Sequence, residues 1–392
     1  VDSVQHSGEQ LRGRLSEAVV CLSHSWGGLE QVAANDAIET ASLGLSVRVI
    51  CLEGSPIHEN VAHRKEIEVV PLNFRPRNHF DVRFRSELMR LLGEGVTLFH
   101  THQTSLLGSI VPWLWSRNIP LFATRHILNN HPKRDPYHRL VYSRLDGLLV
   151  ISHALRKNVL ETHAIREKLV KVVNLGLDFE RFDPEKVNPE AQRRAWGADS
   201  ETVVIGLVGR IDPAKGQATF IRAAAGLLKN PREGEKLRFV IVGEETLGSA
   251  QTHLDELKAM VDQFHLGDTV VFAGYQENIP EVMRAFDLFV MPSRQEAFGL
   301  VAIEAMAMEC PIIISSGGSA REIVGQHEFG LTVRPDDAFD LQHQIRYLLD
   351  NPMERVQMGQ RAREHVKKHY DRRRRLEITL ELYDQALRRR GL

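Results

Sequence analysis

Two glutamates eight positions apart, Glu296 and Glu304, frame the stretch of this chain richest in chemistry, PSRQEAFGLVAIEAM at 292–306. A very apolar strand-like run, DLFVM, ends just before it; a loop then carries Glu296, and a helix is predicted to start near Gly299. The backbone N–H groups of Phe298, Gly299 and Leu300 would lack intrahelical acceptors there and form an anion site at the positive end of the helix. Glu304 falls about one turn further in, on roughly the same face as Leu300. It sits amid Ala, Ile and Met, where a charge is costly without a partner. A ribose diol would be one such partner, since a carboxylate accepts from two hydroxyls; a structural salt bridge to a nearby arginine would be another.

A second loop, Gly209-Arg210-Ile211-Asp212-Pro213-Ala214-Lys215-Gly216, follows the strand-like run VVIGLVG. Arg210 and Lys215 flank a Pro-turn that opens a helix. Two fixed cations at a strand end suit a diphosphate whose charge grows as it departs, and a solvated basic turn fits the spacing equally. Near the N-terminus, Ser23-His24-Ser25-Trp26-Gly27-Gly28-Leu29-Glu30 places two glycines between a strand and a long helix. They permit a sharp turn and let a substrate approach backbone N–H groups; the turn alone explains them as well. Ordinary turn chemistry accounts for the small residues of Ser315–Glu322. Of the 18 histidines, His24, His100, His102, His126 and His153 lie at strand ends or helix starts. His100 and His102 alternate along one strand and share a face, but no carboxylate accompanies them, so no metal site is predicted.

The elements that must hold these loops alternate regularly. Strand-like runs fall at 18–22, 46–51, 68–72, 96–100, 119–123 and 147–151, with helix-like stretches near 29–43, 82–93, 104–117, 136–145 and 152–163. The pattern resumes with strand-like runs at 203–209, 237–242, 269–273, 287–291 and 311–315. Such alternation predicts an α/β protein with parallel sheets covered by helices on both faces. At 392 residues the chain exceeds the usual size of a single core, so two doubly wound domains are expected. The polar stretch 176–200, with Pro184 and Pro189, reads as their connection. Doubly wound sheets bind ligands beyond the carboxyl ends of their strands, where these loops lie. Neither half carries GxGxxG, which argues against an ordinary NAD dehydrogenase.

Bulk properties narrow the classes further. Fifty Lys+Arg against 51 Asp+Glu give a net charge of −1, which offers nucleic acid no electrostatic footprint. Cys21, Cys51 and Cys310 show no disulfide or zinc spacing and read as buried thiols. No run is long and apolar enough to span a membrane, and the polar start VDSVQHSGEQLRGR has no signal-peptide core, so a cytoplasmic location is expected. The stretch 74–92 interleaves Arg75, Arg77, Arg83, Arg85 and Arg90 with Phe80, Phe84, Leu88, Leu91 and Leu92. That mixture suits a segment lying on anionic lipid, and equally a domain helix with an exposed arginine face.

The segment EAFGLVAIEAM resembles the E-x7-E motif of the retaining glycosyltransferases of family 4. Other landmarks follow in that family's order: GGLE at 27–30, HTH at 100–102, ATRH at 123–126, VISHALR at 150–156, GLD at 176–178 and GRIDPAKG at 209–216. Leu175 stands where the family usually has an asparagine. The resemblance spans roughly 18–370. It implies a GT-B fold: two Rossmann-like domains facing across a cleft, with acceptor bound by residues 1–180, donor by 181–370, and a helix in 371–392 packing back on the first domain. It further implies that Arg210 and Lys215 hold the donor diphosphate, helped by the amides of Phe298, Gly299 and Leu300. Glu304 would bind the ribose, Glu296 the transferred sugar near its anomeric carbon, and Gly27-Gly28 would lie against the donor phosphate. His126 would reach the sugar on the reacting side. The implied reaction moves a sugar, with retention, from a nucleotide diphosphate-sugar to an acceptor hydroxyl without a metal or other cofactor. Family frequency leans toward a uridine diphosphate-sugar. The acceptor would be a sugar or lipid-linked molecule of cell-envelope synthesis, met at the inner face of the cytoplasmic membrane. A GT-B-like nucleotide-sugar epimerase and a nonenzymatic nucleotide-sugar-binding protein are the alternatives.

Overall fold

A computed structural model of the chain describes residues 2–245 and 252–392. It divides into two compact units, one running to Gly176 and completed by Arg372–Leu392, the other Leu177–Asp371.

The first unit holds seven parallel strands: β1 (Ser16–Cys21), β2 (Ser46–Leu52), β3 (Ile67–Leu72), β4 (Leu98–Thr101), β5 (Leu121–Arg125), β6 (Gly147–Val150) and β7 (Val170–Val172). Their spatial order is β3-β2-β1-β4-β5-β6-β7. The order reverses between β1 and β4, so the loops after those two strands, which carry Gly27-Gly28 and His102, border the crevice where doubly wound sheets take ligands. The second unit repeats the plan with β8 (Val203–Val208), β9 (Leu237–Val242), β10 (Val270–Gly274), β11 (Leu288–Met291), β12 (Ile312–Ser315) and β13 (Leu331–Val333), ordered β10-β9-β8-β11-β12-β13. Its reversal falls between β8 and β11. The loops leaving those strands are the two that carry Arg210, Lys215 and Glu296.

Valine, isoleucine and leucine fill the central strands because both sheet faces are covered; β11 and β12 are buried at every position. Helices begin where the sequence offers caps. Asp81, Asp135 and Ser152 accept from first-turn amides, which satisfies donors the helix cannot.

Three features depart from the sequence expectations. Strands β7 and β13, three residues each, are too short to show periodicity. Asp2–Leu11 is a helix, and its Val4 and Leu11 pack with Leu376, Leu380 and Tyr383. The stretch 177–200 is not a solvated connection but belongs to the body of the second unit. Phe182 and Trp196 are buried, Trp196 stacks on Phe286 at 5.3 Å, and Arg193 bridges to Asp287 at 2.9 Å. The aromatic anchors outweigh a polar composition.

The helix Val82–Gly93 turns Phe84, Leu88 and Leu91 into the core, and Arg90 pairs with Glu87 and Glu94. Phe80 and Val82 remain 67% exposed beside Arg83 and Arg85. The apolar face of this helix is thus spent on folding.

The last helix, Arg372–Arg390, lays Leu376, Leu380, Tyr383, Ala386 and Leu387 against Leu98, Phe122 and Leu149 of β4, β5 and β6. Leu380 is fully buried. Leu380→Ala is expected to lower stability by about 2–5 kcal/mol, read as a shifted urea midpoint. A change within ordinary surface scatter would show that the helix is not part of this core.

Candidate active site

In the second unit, the loop after β8 is folded by its own side chains. Asp212 accepts from the Ala214 N–H at 2.9 Å and caps the turn Pro213–Lys215. Gly216 then adopts a left-handed conformation (φ +78°) to open the helix Gln217–Leu228. A β-carbon there would lie 2.3 Å from the carbonyl oxygen of Pro292, so only glycine lets this loop close against the end of β11. The Arg294 N–H donates to the Ala214 carbonyl at 2.9 Å and completes the seam. The fully buried Gln217 donates from its side-chain amide to the Arg210 carbonyl at 2.9 Å, fixing the backbone that carries Arg210.

Side chains meet across the same seam. Lys215 Nζ lies 2.6 Å from Glu296 Oε1, and Arg210 Nη2 3.0 Å from Asp212 Oδ2. A third loop, after β12, braces Glu296 from behind. The Ser319 N–H donates to the Glu296 carbonyl at 3.2 Å, and the Ser319 hydroxyl to the Phe298 carbonyl at 2.5 Å. Gly299 then caps the helix Leu300–Ala307. Among the described residues, no acceptor takes the amides of Phe298, Gly299 or Leu300, as an anion site at a helix N-terminus requires.

Glu304 is half-buried on that helix, and no described residue hydrogen-bonds or ion-pairs with its carboxylate. Burial pushes its carboxyl up to about 7, and the positive charge of Arg181 draws it partly back. Arg181 acts at a distance; it does not form the salt bridge that the sequence left open. The structure therefore gathers Arg210, Lys215, Glu296, Phe298, Gly299, Leu300 and Glu304 around one switch point. The arrangement offers two partly exposed cations and three free amides to an anion, and a carboxylate to hydroxyl groups.

Gly27, Gly28 and His126 lie in the first unit. Gly27 caps the helix Gly28–Ser42, and its N–H donates to Glu30 Oε2 at 2.9 Å. The space where a β-carbon of Gly28 would stand is open. His126 follows β5 and is 9% exposed. Its Nε2 lies 3.3 Å from His102 Nδ1, with the rings stacked at 5.5 Å between centroids. Burial, aided by the charge of Arg375, drives the His126 imidazole down to about 3, so it is neutral at any physiological pH. Burial likewise holds His102 neutral.

Sequence reasoning missed the groups behind these histidines. Asp36 sits 3.8 Å from His102 Nε2 and is gripped by Arg375 at 2.7 Å. Its one signal in the sequence is an acid in the apolar helix VAANDAIETA. Nothing local announces Arg375, which is more than 300 residues away. Among the described residues no cluster of three or more His, Cys, Asp or Glu is arranged to hold a metal ion, and no helix is long and apolar enough to cross a membrane.

Two Rossmann-like units with this switch-point cradle define a GT-B fold. Residues 26–181 match the model of Glycosyltransferase Family 4, and residues 188–365 that of Glycosyl transferases group 1. The chain belongs to this family of glycosyltransferases. It is 29% identical over 287 residues to D-inositol 3-phosphate glycosyltransferase 2 of Catenulispora acidiphila, covering 69% of this chain and 66% of that one. It is 36% identical over 169 residues to the lipopolysaccharide core biosynthesis mannosyltransferase LpsB of Rhizobium meliloti, 42% of this chain and 46% of that one. Among solved structures, Anabaena HepE in complex with UDP has the same fold, with a TM-score of 0.80 at 19% identity over 96% of this chain and 100% of that one.

The raised Glu304 carboxyl has a measurable consequence. The folded protein binds this proton more tightly than the unfolded chain, so its contribution to stability is complete below pH 4.5 and lost as pH rises through about 7. Glu304→Gln stays neutral and escapes that loss. Between pH 5 and pH 8 (~3 units) the wild-type denaturant midpoint is expected to fall relative to the variant; parallel curves would contradict this environment for Glu304.

Proposed function

We propose that the protein transfers a sugar from a nucleotide diphosphate-sugar to an acceptor hydroxyl, with retention of anomeric configuration and without a divalent metal. The observation that carries this reading is the convergence of Lys215, Glu296, Arg210 and the unpaired amides of 298–300 at the β8/β11 switch point. A departing diphosphate gains negative charge as the glycosidic bond breaks. Arg210 and Lys215, released from Asp212 and Glu296, meet that charge together with the helix amides. Freed by the same exchange, Glu296 accepts from hydroxyls of the transferred sugar. Glu304, the half-buried carboxylate without a partner, takes the ribose hydroxyls. Gly28 leaves room for a phosphate, and His126 meets a sugar hydroxyl. The leaving phosphate, and no protein base, takes the acceptor's proton.

The comparisons support a donor of the uridine class, since a similar fold is solved with UDP, and an acceptor from envelope glycolipid, lipopolysaccharide or polysaccharide synthesis, since relatives act on inositol phosphate and lipopolysaccharide core. The exposed Phe80 and Val82 beside Arg83 and Arg85 support peripheral contact with an anionic membrane.

A preorganised cation at a developing anion contributes roughly 3 kcal/mol, about a hundredfold or more in rate. Initial rates of nucleoside diphosphate release, measured in excess EDTA, are expected to match those without it and to fall by at least that factor in Arg210→Ala and Lys215→Ala. Activity abolished by EDTA and restored by magnesium, with little change in either variant, would overturn the reading. In the same assay Glu304→Gln is expected to weaken donor binding, and Glu296→Gln to lower turnover more than donor affinity. Two variants that behave as wild type would remove the motif assignment.

A further inference from the structure

The face of the last helix that packs on the first sheet is not only apolar. Of its buried polar residues, Thr379 bonds back to the Arg375 carbonyl within the helix, while Arg375 and Tyr383 each enter a chain of side chains leading to the carboxyl ends of β4 and β5. Arg375 Nη2 and Nε bind the two oxygens of Asp36 at 2.7 and 3.0 Å, and its Nη1 donates to the carbonyls of Val173 and Asn174 at 3.0 and 3.4 Å. The guanidinium is therefore committed, and both Asp36 oxygens are engaged by it. Its Oδ2 lies 3.8 Å from Nε2 of His102, a ring 1% exposed whose Nε2 has no hydrogen-bond partner. On its other side His102 Nδ1 lies 3.3 Å from His126 Nε2.

The protons on this chain can be assigned. A neutral imidazole carries one N–H and one lone pair. A lone pair on His102 Nε2 would face a carboxylate in a dry interior, whereas an N–H there is attracted to it. The proton thus belongs on Nε2, and His102 Nδ1 is an acceptor. The hydrogen bond to His126 then needs its proton on His126 Nε2, which leaves His126 Nδ1 bare. That nitrogen binds no described residue and is not among the buried nitrogens lacking a partner, so it keeps contact with solvent.

The second chain runs alongside. The Tyr383 hydroxyl donates to Glu17 Oε1 at 2.7 Å, so its oxygen accepts from His100 Nδ1–H at 2.5 Å, and His100 Nε2 accepts from the Thr124 hydroxyl at 2.8 Å. The His100 ring packs against that of His102, with centroids 4.5 Å apart and planes tilted by 31°. None of its nitrogens competes for the proton shared by His102 and His126.

We propose that Arg375, Asp36 and His102 are positioning residues that set the tautomer of His126, so that it presents an unprotonated Nδ1 as a hydrogen-bond acceptor to a sugar hydroxyl. The sugar contact rests on the function proposed above; the tautomer does not. The ligand this site selects is a hydroxyl donor, and a carbonyl or carboxylate at the same place would meet a lone pair and be refused.

Long-range proton–nitrogen correlation on the full chain labelled with 15N-histidine reads the tautomers directly. The two signal sets are assigned by their loss in His126→Gln and His102→Gln. At neutral pH both rings are expected as the Nε2–H form. In Asp36→Asn the amide oxygen stays on Arg375 and the amide N–H2 group turns to His102 Nε2. Both rings are then expected to switch to Nδ1–H, with kcat/KM falling about tenfold, the loss of one hydrogen bond of roughly 1.4 kcal/mol. Arg375→Lys, which can still hold the Asp36 carboxylate, is expected to retain the wild-type tautomers. His126 found as Nδ1–H in the wild type would overturn the proposal, and that measurement stands even if the Asp36 variant does not fold. Unchanged tautomers in a folded Asp36→Asn would overturn it too. Reversed tautomers with unchanged kcat/KM would uphold the relay and overturn the contact between His126 and sugar.

Discussion

A β-carbon on Gly318 would stand 1.8 Å from the carbonyl oxygen of Glu296. No side chain survives that distance, and the residue's φ of +64° also favours glycine. This close backbone approach is the constraint on which the second unit's chemistry depends. It presses the loop after β12 against the loop after β11, which fixes the direction of Glu296. Gly216 does the same on the opposite side, against Pro292. Three strand-end loops are thereby locked by backbone, and Lys215 and Glu296 meet at 2.6 Å as a result. The ion pair is partly buried, with side-chain exposures of 31% and 18%. It holds Lys215 and Glu296 together at the β8/β11 switch point, where the proposed donor site lies.

The first unit solves a different problem with buried charge. Breaking a buried pair such as Arg375–Asp36 leaves an uncompensated charge, while forming it gains little over an apolar pair of equal size. Such groups are better explained by what they orient than by what they stabilise. The leucines of the last helix hold it on β4, β5 and β6, and its arginine and tyrosine use that fixed position to order three histidines. Folding and site geometry share one element here, so damage to either is felt by both.

Much of this was legible in the sequence because strand and loop signals are local. The apolar runs that became β8 and β11, with the Arg210, Lys215 and Glu296 loops behind them, need only short windows to be seen. Glu304 announced itself as a charge on an apolar helix. What escaped detection depended on distance or on shortness. β7 and β13 are too brief for a period, and the 177–200 stretch looked like a linker until Trp196 found Phe286. Asp36 and Arg375 acquire meaning only from each other, and no spacing rule links residues so far apart. The same holds for the glycine contacts, whose partners are carbonyls of other loops.

The central claim is that protein groups alone meet the charge of the donor's diphosphate. Isothermal titration of wild-type protein with uridine diphosphate in excess EDTA tests it most directly. The account predicts one site per chain and an affinity unchanged when magnesium replaces the chelator. It further predicts that binding weakens as ionic strength rises, as expected for an anion held by half-exposed cations. Binding that appears only with the metal present would contradict it.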